Sequence, residues 1–127
     1  MSLRPILRVG ILALVTLSVS TALFAVSANA GPTTGKAAAG APIYKAKCVA
    51  CHMADGHGGF KLGGNPTPNW TLKKTWDATR TDDFMRDCIT NGKLKSGMVA
   101  WGKTKQLTPA QIEDLIAFIK TFKASAK

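Results

Sequence analysis

The apolar and polar positions divide this chain into one continuous hydrophobic run, several amphipathic stretches and long polar loops. Val9 to Val26 is apolar almost throughout, interrupted only by Gly, Thr and Ser. That length is near the lower limit of a bilayer span, about 18 residues. Arg4 and Arg8 precede the run and Ala28-Asn29-Ala30 follows it. A positive head, an apolar centre and a small-residue cleavage site predict a signal peptide over residues 1–30, cut after Ala30, rather than a retained anchor. Near the other end, Ile112, Leu115, Ile116, Ile119 and Phe122 recur at helical spacing, and Phe118 widens the stripe. Thr108-Pro109-Ala110-Gln111 before them is a capping box with proline at the first helical position. A second helix is predicted from Thr81, an N-cap followed by Asp82 and Asp83 at the positive helix end, through Phe84, Met85, Cys88 and Ile89 to Asn91-Gly92. A third, short helix is predicted from Pro42 to Cys51.

Between these elements lie a Gly-, Thr-, Ala- and Pro-rich lead-in over residues 31–39, a loop from Asp55 to Pro68 rich in glycine and proline, and an irregular stretch from Gly92 to Leu107. No stretch alternates as a strand would. The expected fold is all-α, with about three main helices and long loops in one domain over residues 40–127. Cleavage after Ala30 would leave 97 of the 127 residues. A chain that short buries little surface by itself. A large apolar cofactor at its centre would supply the missing interior.

The chain has three cysteines, Cys48, Cys51 and Cys88. An odd number in an exported protein needs an explanation. Cys48-Val49-Ala50-Cys51-His52 provides one. Two cysteines three positions apart emerge on the same side of a helical turn, where both sulfurs can meet the two vinyl groups of haem and form thioethers. His52 then falls under the iron and supplies a neutral imidazole nitrogen as proximal ligand. C-x-x-C-H is the haem-attachment pattern. A zinc site would need His57 as a fourth ligand, and a thioredoxin-like dithiol would need a βαβ context. The expected cofactor is one haem c, attached through Cys48 and Cys51.

The sixth iron ligand has to come from far along the chain. Met53, Met85, Met98 and His57 are the candidates. Met53 and His57 lie too near His52 to cross the ring, and Met85 sits in a helical pattern that reads as core. Met98, in the irregular stretch, is the expected ligand. A His52/Met98 pair raises the reduction potential and closes the iron to other ligands, as electron transfer requires.

Residues 40–122 resemble the class I cytochromes c. Gly40, Tyr44 and Cys48 recur every fourth residue as in that family's first helix, and Asp114-Leu115-Ile116-Ala117-Phe118 resembles its last. The resemblance implies a cytochrome c fold in which Leu115 and Phe118 meet Gly40 and Tyr44. Asp55-Gly56 and Gly58-Gly59 match the haem loop. Thr67-Pro68-Asn69-Trp70 resembles the family's Gly-Pro-Asn-Leu turn, which implies that the Pro68 carbonyl accepts the His52 N–H. Gly97-Met98-Val99-Ala100-Trp101 resembles the Met-Pro-Ala-aromatic loop. Val99 replaces the family's proline and Trp70 its leucine. Trp101, three residues after Met98, is expected to pack on the haem plane and donate its N–H to a propionate.

Beyond residue 30, Lys and Arg outnumber Asp and Glu by eight, and two haem propionates would lower the net charge to about +6. The cations are scattered and the chain is exported, so no nucleic-acid partner is expected. Lys61, Lys93, Lys95, Lys103 and Lys105 flank the loops expected to rim the haem and suggest redox partners with acidic docking surfaces. Cys88 reads as a small core residue and His57 as a solvated one. The expected role is a periplasmic carrier of single electrons rather than an enzyme. Alternatives are the electron-accepting cytochrome subunit of a periplasmic dehydrogenase, or a ligand-binding or peroxidatic haem protein whose Met98 detaches.

Overall fold

The computed structural model describes residues 34–127. The signal peptide expected over residues 1–30 lies outside them. The described chain runs α1 (Ala37–Lys47), α2 (Val49–His52), α3 (Asp82–Asn91), α4 (Pro109–Ile119) and α5 (Thr121–Ala124), with single 3₁₀ turns at Lys73–Thr75 and Leu94–Ser96. No strand occurs among the described residues, and the one β-bridge pairs Lys93 with Met98. The all-α architecture expected from the sequence is the one formed by the described residues.

The first helix begins at Ala37, five residues before the expected start at Pro42. Three consecutive alanines are strong helix formers, and they outweigh the neighbouring Gly and Pro that read as a loop. Pro42 therefore sits inside the helix, where its ring removes one i→i−4 hydrogen bond. Its side chain is exposed. The Lys36 N–H donates to Asp114 Oδ1 at 2.7 Å, tying the start of α1 to α4.

Helices α1 and α4 cross in close contact, and Gly40 makes the crossing possible. A Cβ at Gly40 would lie 2.1 Å from the Asp114 carbonyl oxygen. Tyr44, one turn later, is 2% exposed and packs its ring 5.1 Å from Phe118 and 5.5 Å from Phe122. The crossing expected from Gly40, Tyr44, Leu115 and Phe118 is thus formed.

Both predicted caps are present. The Thr108 hydroxyl accepts from the Gln111 N–H while the Gln111 side chain accepts from the Thr108 N–H. The Thr81 hydroxyl accepts from the Phe84 N–H at 3.1 Å. Helix α3 is fastened to α4 by Arg86, whose Nη2 donates to Glu113 Oε2 at 3.0 Å. Lys120 Nζ reaches Asp82 at 2.9 Å. Met85 and Ile89 of α3 join Ile112, Leu115, Ile116 and Ile119 of α4 in the core. The other side of that core does not close on itself. It forms one wall of a cavity.

Candidate haem-binding site

The C-x-x-C-H segment spans a break between two helices. Cys48 ends α1, and its carbonyl accepts from the Cys51 N–H at 3.1 Å and the His52 N–H at 2.9 Å, which starts α2. A four-residue helix has no stability of its own, and its carboxyl end is held by groups from three other places. The Tyr44 hydroxyl donates to the Met53 carbonyl at 2.9 Å and reaches the His52 carbonyl at 3.3 Å. The Gly58 N–H donates to the same His52 carbonyl at 3.1 Å. The Thr67 hydroxyl donates to the Cys51 carbonyl at 2.8 Å. Gly58 has φ +61, and a Cβ there would fall 2.2 Å from the Pro68 carbonyl oxygen, so only glycine fits. This frame fixes where Cys51 and His52 point.

Cys48, Cys51 and His52 all line a cavity of about 370 Å³ between α1, α3 and the two long loops, a size typical of ligand pockets. Burial pushes the Cys48 thiol up to about 11, with Lys47 opposing the shift and Cys51 adding to it. A thiol held neutral is a poor zinc ligand, since zinc is bound by the thiolate. Burial also lowers the His52 imidazole below its ordinary 6.5, which keeps it neutral and able to ligate iron. His57, which a zinc site would need, instead pairs through Nδ1 with Asp55 at 3.0 Å and does not line the cavity.

Of the four sixth-ligand candidates, the fold brings Met85 and Met98 to the cavity and leaves Met53 and His57 outside it. Met85 is 4% exposed within the core of α3. Met98 sits on a loop fixed by paired backbone hydrogen bonds with Lys93, at 3.0 and 3.2 Å. Cys88, partly buried, also faces the cavity. Pro68 and Trp101 line it too. His52 Nδ1 is buried and makes no hydrogen bond among the described residues. The bond to the Pro68 carbonyl that the resemblance implies is therefore not made, and that carbonyl abuts Gly58. Trp101 packs against the core cluster with Lys47 Nζ 4.8 Å from its ring centre.

Sequence reasoning missed several wall residues. Tyr44 was assigned only to the helix crossing, and Lys47 and Arg80 received no role. Arg80 had a signal: it is one of only two arginines after residue 8.

The residues present fit a haem. The walls are largely apolar side chains, such as Phe60, Leu62, Phe84, Ile89, Leu115 and Ile119. Three cations, Lys47, Arg80 and Lys93, reach the lining, and no Asp or Glu does. An apolar plane edged by two carboxylates matches that distribution. Among the described residues, the buried side-chain nitrogens without a partner are His52 Nδ1, Trp70 Nε1 and Arg80 Nε. All three residues line this cavity.

An all-α chain folded around such a cavity, with C-x-x-C-H in its wall, is a c-type cytochrome. Residues 35–119 match the family described as cytochrome c oxidase, cbb3-type, subunit III, and the chain belongs to that family. Among solved structures it is similar to cytochrome c6 from the diatom Phaeodactylum tricornutum, at 26% identity and a TM-score of 0.54, covering 72% of this chain and 95% of that one. It shares its fold with KustC0563 c-type cytochrome, at 22% identity and a TM-score of 0.50, covering 69% and 98% of the two chains. No curated protein matches it. The chain is an electron-transfer protein that holds haem c covalently. No helix among the described residues is long and apolar enough to cross a membrane.

Proposed function

We propose that this chain is an exported, periplasmic one-electron carrier with a single haem, attached through Cys48 and Cys51 and ligated by His52 and Met98. The observation that carries the reading is that these four side chains line one apolar cavity. When bound, the haem iron supplies the chemistry, cycling between ferrous and ferric states. The protein's part is to position and tune. The Tyr44, Gly58 and Thr67 hydrogen bonds hold the α2 end, so the His52 ring needs little reorganisation. Apolar walls exclude water, and a thioether from Met98 favours the reduced state. Pro68 and Trp101 contribute to the wall around His52 and Met98.

The family description names an oxidase subunit. That favours a second reading, in which the same module serves as a cytochrome subunit of a larger redox enzyme, accepting electrons from a dehydrogenase or passing them on. The ligand-binding alternative needs Met98 to detach. An optical and CO-binding study of the haem-loaded protein separates that alternative from the carrier role. A low-spin spectrum and no CO uptake are expected; ready CO binding to the ferrous form would favour the open-iron reading. Co-purification with a large catalytic subunit would favour the enzyme-subunit reading.

A further inference from the structure

Three aromatic rings run in contact from His52 towards the surface. The Trp70 ring stacks towards His52, with 6.1 Å between ring centres and 22° between planes. It lies 5.2 Å from the Trp76 ring, whose Nε1–H donates to the Trp70 carbonyl at 2.7 Å. Trp70 is 6% exposed and lines the cavity, whereas Trp76 is partly exposed and does not. The backbone beneath both indoles is fixed. The Trp70 N–H donates to the Gly56 carbonyl at 2.8 Å and the Trp76 N–H to the Lys73 carbonyl at 2.9 Å. Lys127 clasps the same segment, its N–H donating to the Thr71 carbonyl at 3.1 Å and its carbonyl accepting from the Lys73 N–H at 3.2 Å. The surface around Trp76 is basic. Lys73 and Lys74 are exposed just before it, and Lys123 Nζ lies 5.9 Å from its ring centre. The adjacent carboxylate, Asp77, accepts from the Thr79 hydroxyl at 2.5 Å and the Thr79 N–H at 2.8 Å.

Burial accounts for Trp70 as a core residue, but Trp76 carries the ring contact outward to a basic surface. Delocalised rings in contact couple electronically better than saturated side chains, and rings held this firmly need little rearrangement when charge passes. We propose that Trp76 is the surface end of an electron-exchange route, His52–Trp70–Trp76, and that its basic face docks a one-electron redox protein with an acidic surface. This rests on the haem reading above. One electron leaves the ferrous iron, which becomes ferric, and reduces the partner's one-electron centre; the reverse transfer reloads the carrier. The indoles couple the two centres without being oxidised themselves. The Trp76 N–H keeps its bond to the Trp70 carbonyl, so no proton moves. Lys73, Lys74 and Trp76 lie off the cavity lining that Leu62 and Met98 help to form. Donor and acceptor are thereby given different faces, and charge complementarity selects an acidic partner for this one.

The test times electron transfer inside the haem-loaded protein, each variant being checked first for covalent haem by mass. Cys88→Ser removes the competing thiol. A photoexcitable ruthenium–bipyridine complex is then attached through Lys74→Cys or, as the reference site, through Lys103→Cys. A laser flash starts reduction of the ferric iron by the excited label. Trp70→Leu and Trp76→Leu should each slow transfer from position 74 several-fold and leave transfer from position 103 unchanged, while Trp76→Phe should keep most of the rate. Midpoint potentials and optical spectra are recorded alongside, because a change in the haem itself would slow transfer from both labels alike. Equal losses from both labels, or no loss from either, would overturn the route. For the docking face, poly-L-glutamate at low ionic strength should shift the Trp76 indole N–H resonance, and Lys73→Glu with Lys74→Glu should abolish the shift. An indole resonance indifferent to the polyanion would overturn the acidic partner. A wild-type protein without covalent haem would overturn the haem reading as well, whereas failure in haem-loaded protein removes this route alone.

Discussion

At the scale of single residues, the cavity holds two methionines that could face His52. Met85 lies in the buried cluster formed by α3 and α4, whereas Met98 is carried on a loop at the cavity wall. Met98→Ala should therefore abolish the weak far-red sulfur-to-iron band, lower the potential and admit exogenous ligands. Met85→Leu, close in volume, should leave the band intact and cost less than about 1.5 kcal/mol in stability. The reverse pattern would move the ligand to Met85. What was legible at this scale follows from chemistry. Two thioethers and an axial imidazole demand the fixed spacing of Cys48, Cys51 and His52, so the motif is visible without a fold. Lys47, Arg80 and the hydroxyl of Tyr44 carry no such constraint. Their roles arise only when α1, α2 and the Trp70–Arg80 segment are brought together, and scattered basic residues look alike along a sequence.

At the scale of elements, the helices with side-chain caps were the easiest to place. Thr81 and Thr108 both cap as their patterns predict, because capping is local hydrogen bonding. The start of α1 was not legible. Lys36 offers no side-chain cap, and glycine, which usually marks a loop, serves here as a contact surface. Gly35 shows the same use as Gly40, since a Cβ there would lie 1.9 Å from the Glu113 carbonyl oxygen. Gly40→Leu should separate α1 from α4 and cost on the order of 1–3 kcal/mol or more, because the obstacle is backbone that cannot rotate away. The measurement is a thermal or denaturant melt of haem-loaded protein. A wild-type curve would mean that the crossing at Gly40 contributes nothing to stability.

At the scale of the whole molecule, some of the lysines lie at or beside the cavity. Lys47 and Lys93 reach the cavity lining, Lys61 is flanked by the lining residues Phe60 and Leu62, and the Lys95 backbone abuts Gly63. Lys120 and Lys123 do not line the cavity; Lys120 pairs with Asp82 and Lys123 lies over Trp76. If the first group steers an acidic partner, electron transfer should slow as salt shortens the Debye length from ~10 Å at 0.1 M to ~3 Å at 1 M. Changing Lys95 and Lys103 to Glu should slow the bimolecular rate more than changing Lys120 and Lys123. Equal losses would indicate general charge attraction. No salt dependence would instead favour contact through the exposed Leu62 and Leu94, 70% and 81% accessible. The sequence indicated a missing interior from chain length alone, and the fold shows its place between α1, α3 and the long loops. The cavity itself was not legible, because its walls come from segments as distant as Tyr44 and Ile119.

The central claim is that Cys48 and Cys51 bind haem covalently in this cavity, and mass spectrometry of the protein matured with haem-attachment machinery tests it most directly. The purified protein should exceed its polypeptide mass by one haem, and acid-acetone extraction should leave the colour in the protein. Replacing either cysteine should reduce the yield of folded, coloured protein, because the haem fills the interior that the chain leaves open. A mass equal to the bare polypeptide, or a haem that passes into the acetone, would contradict the account.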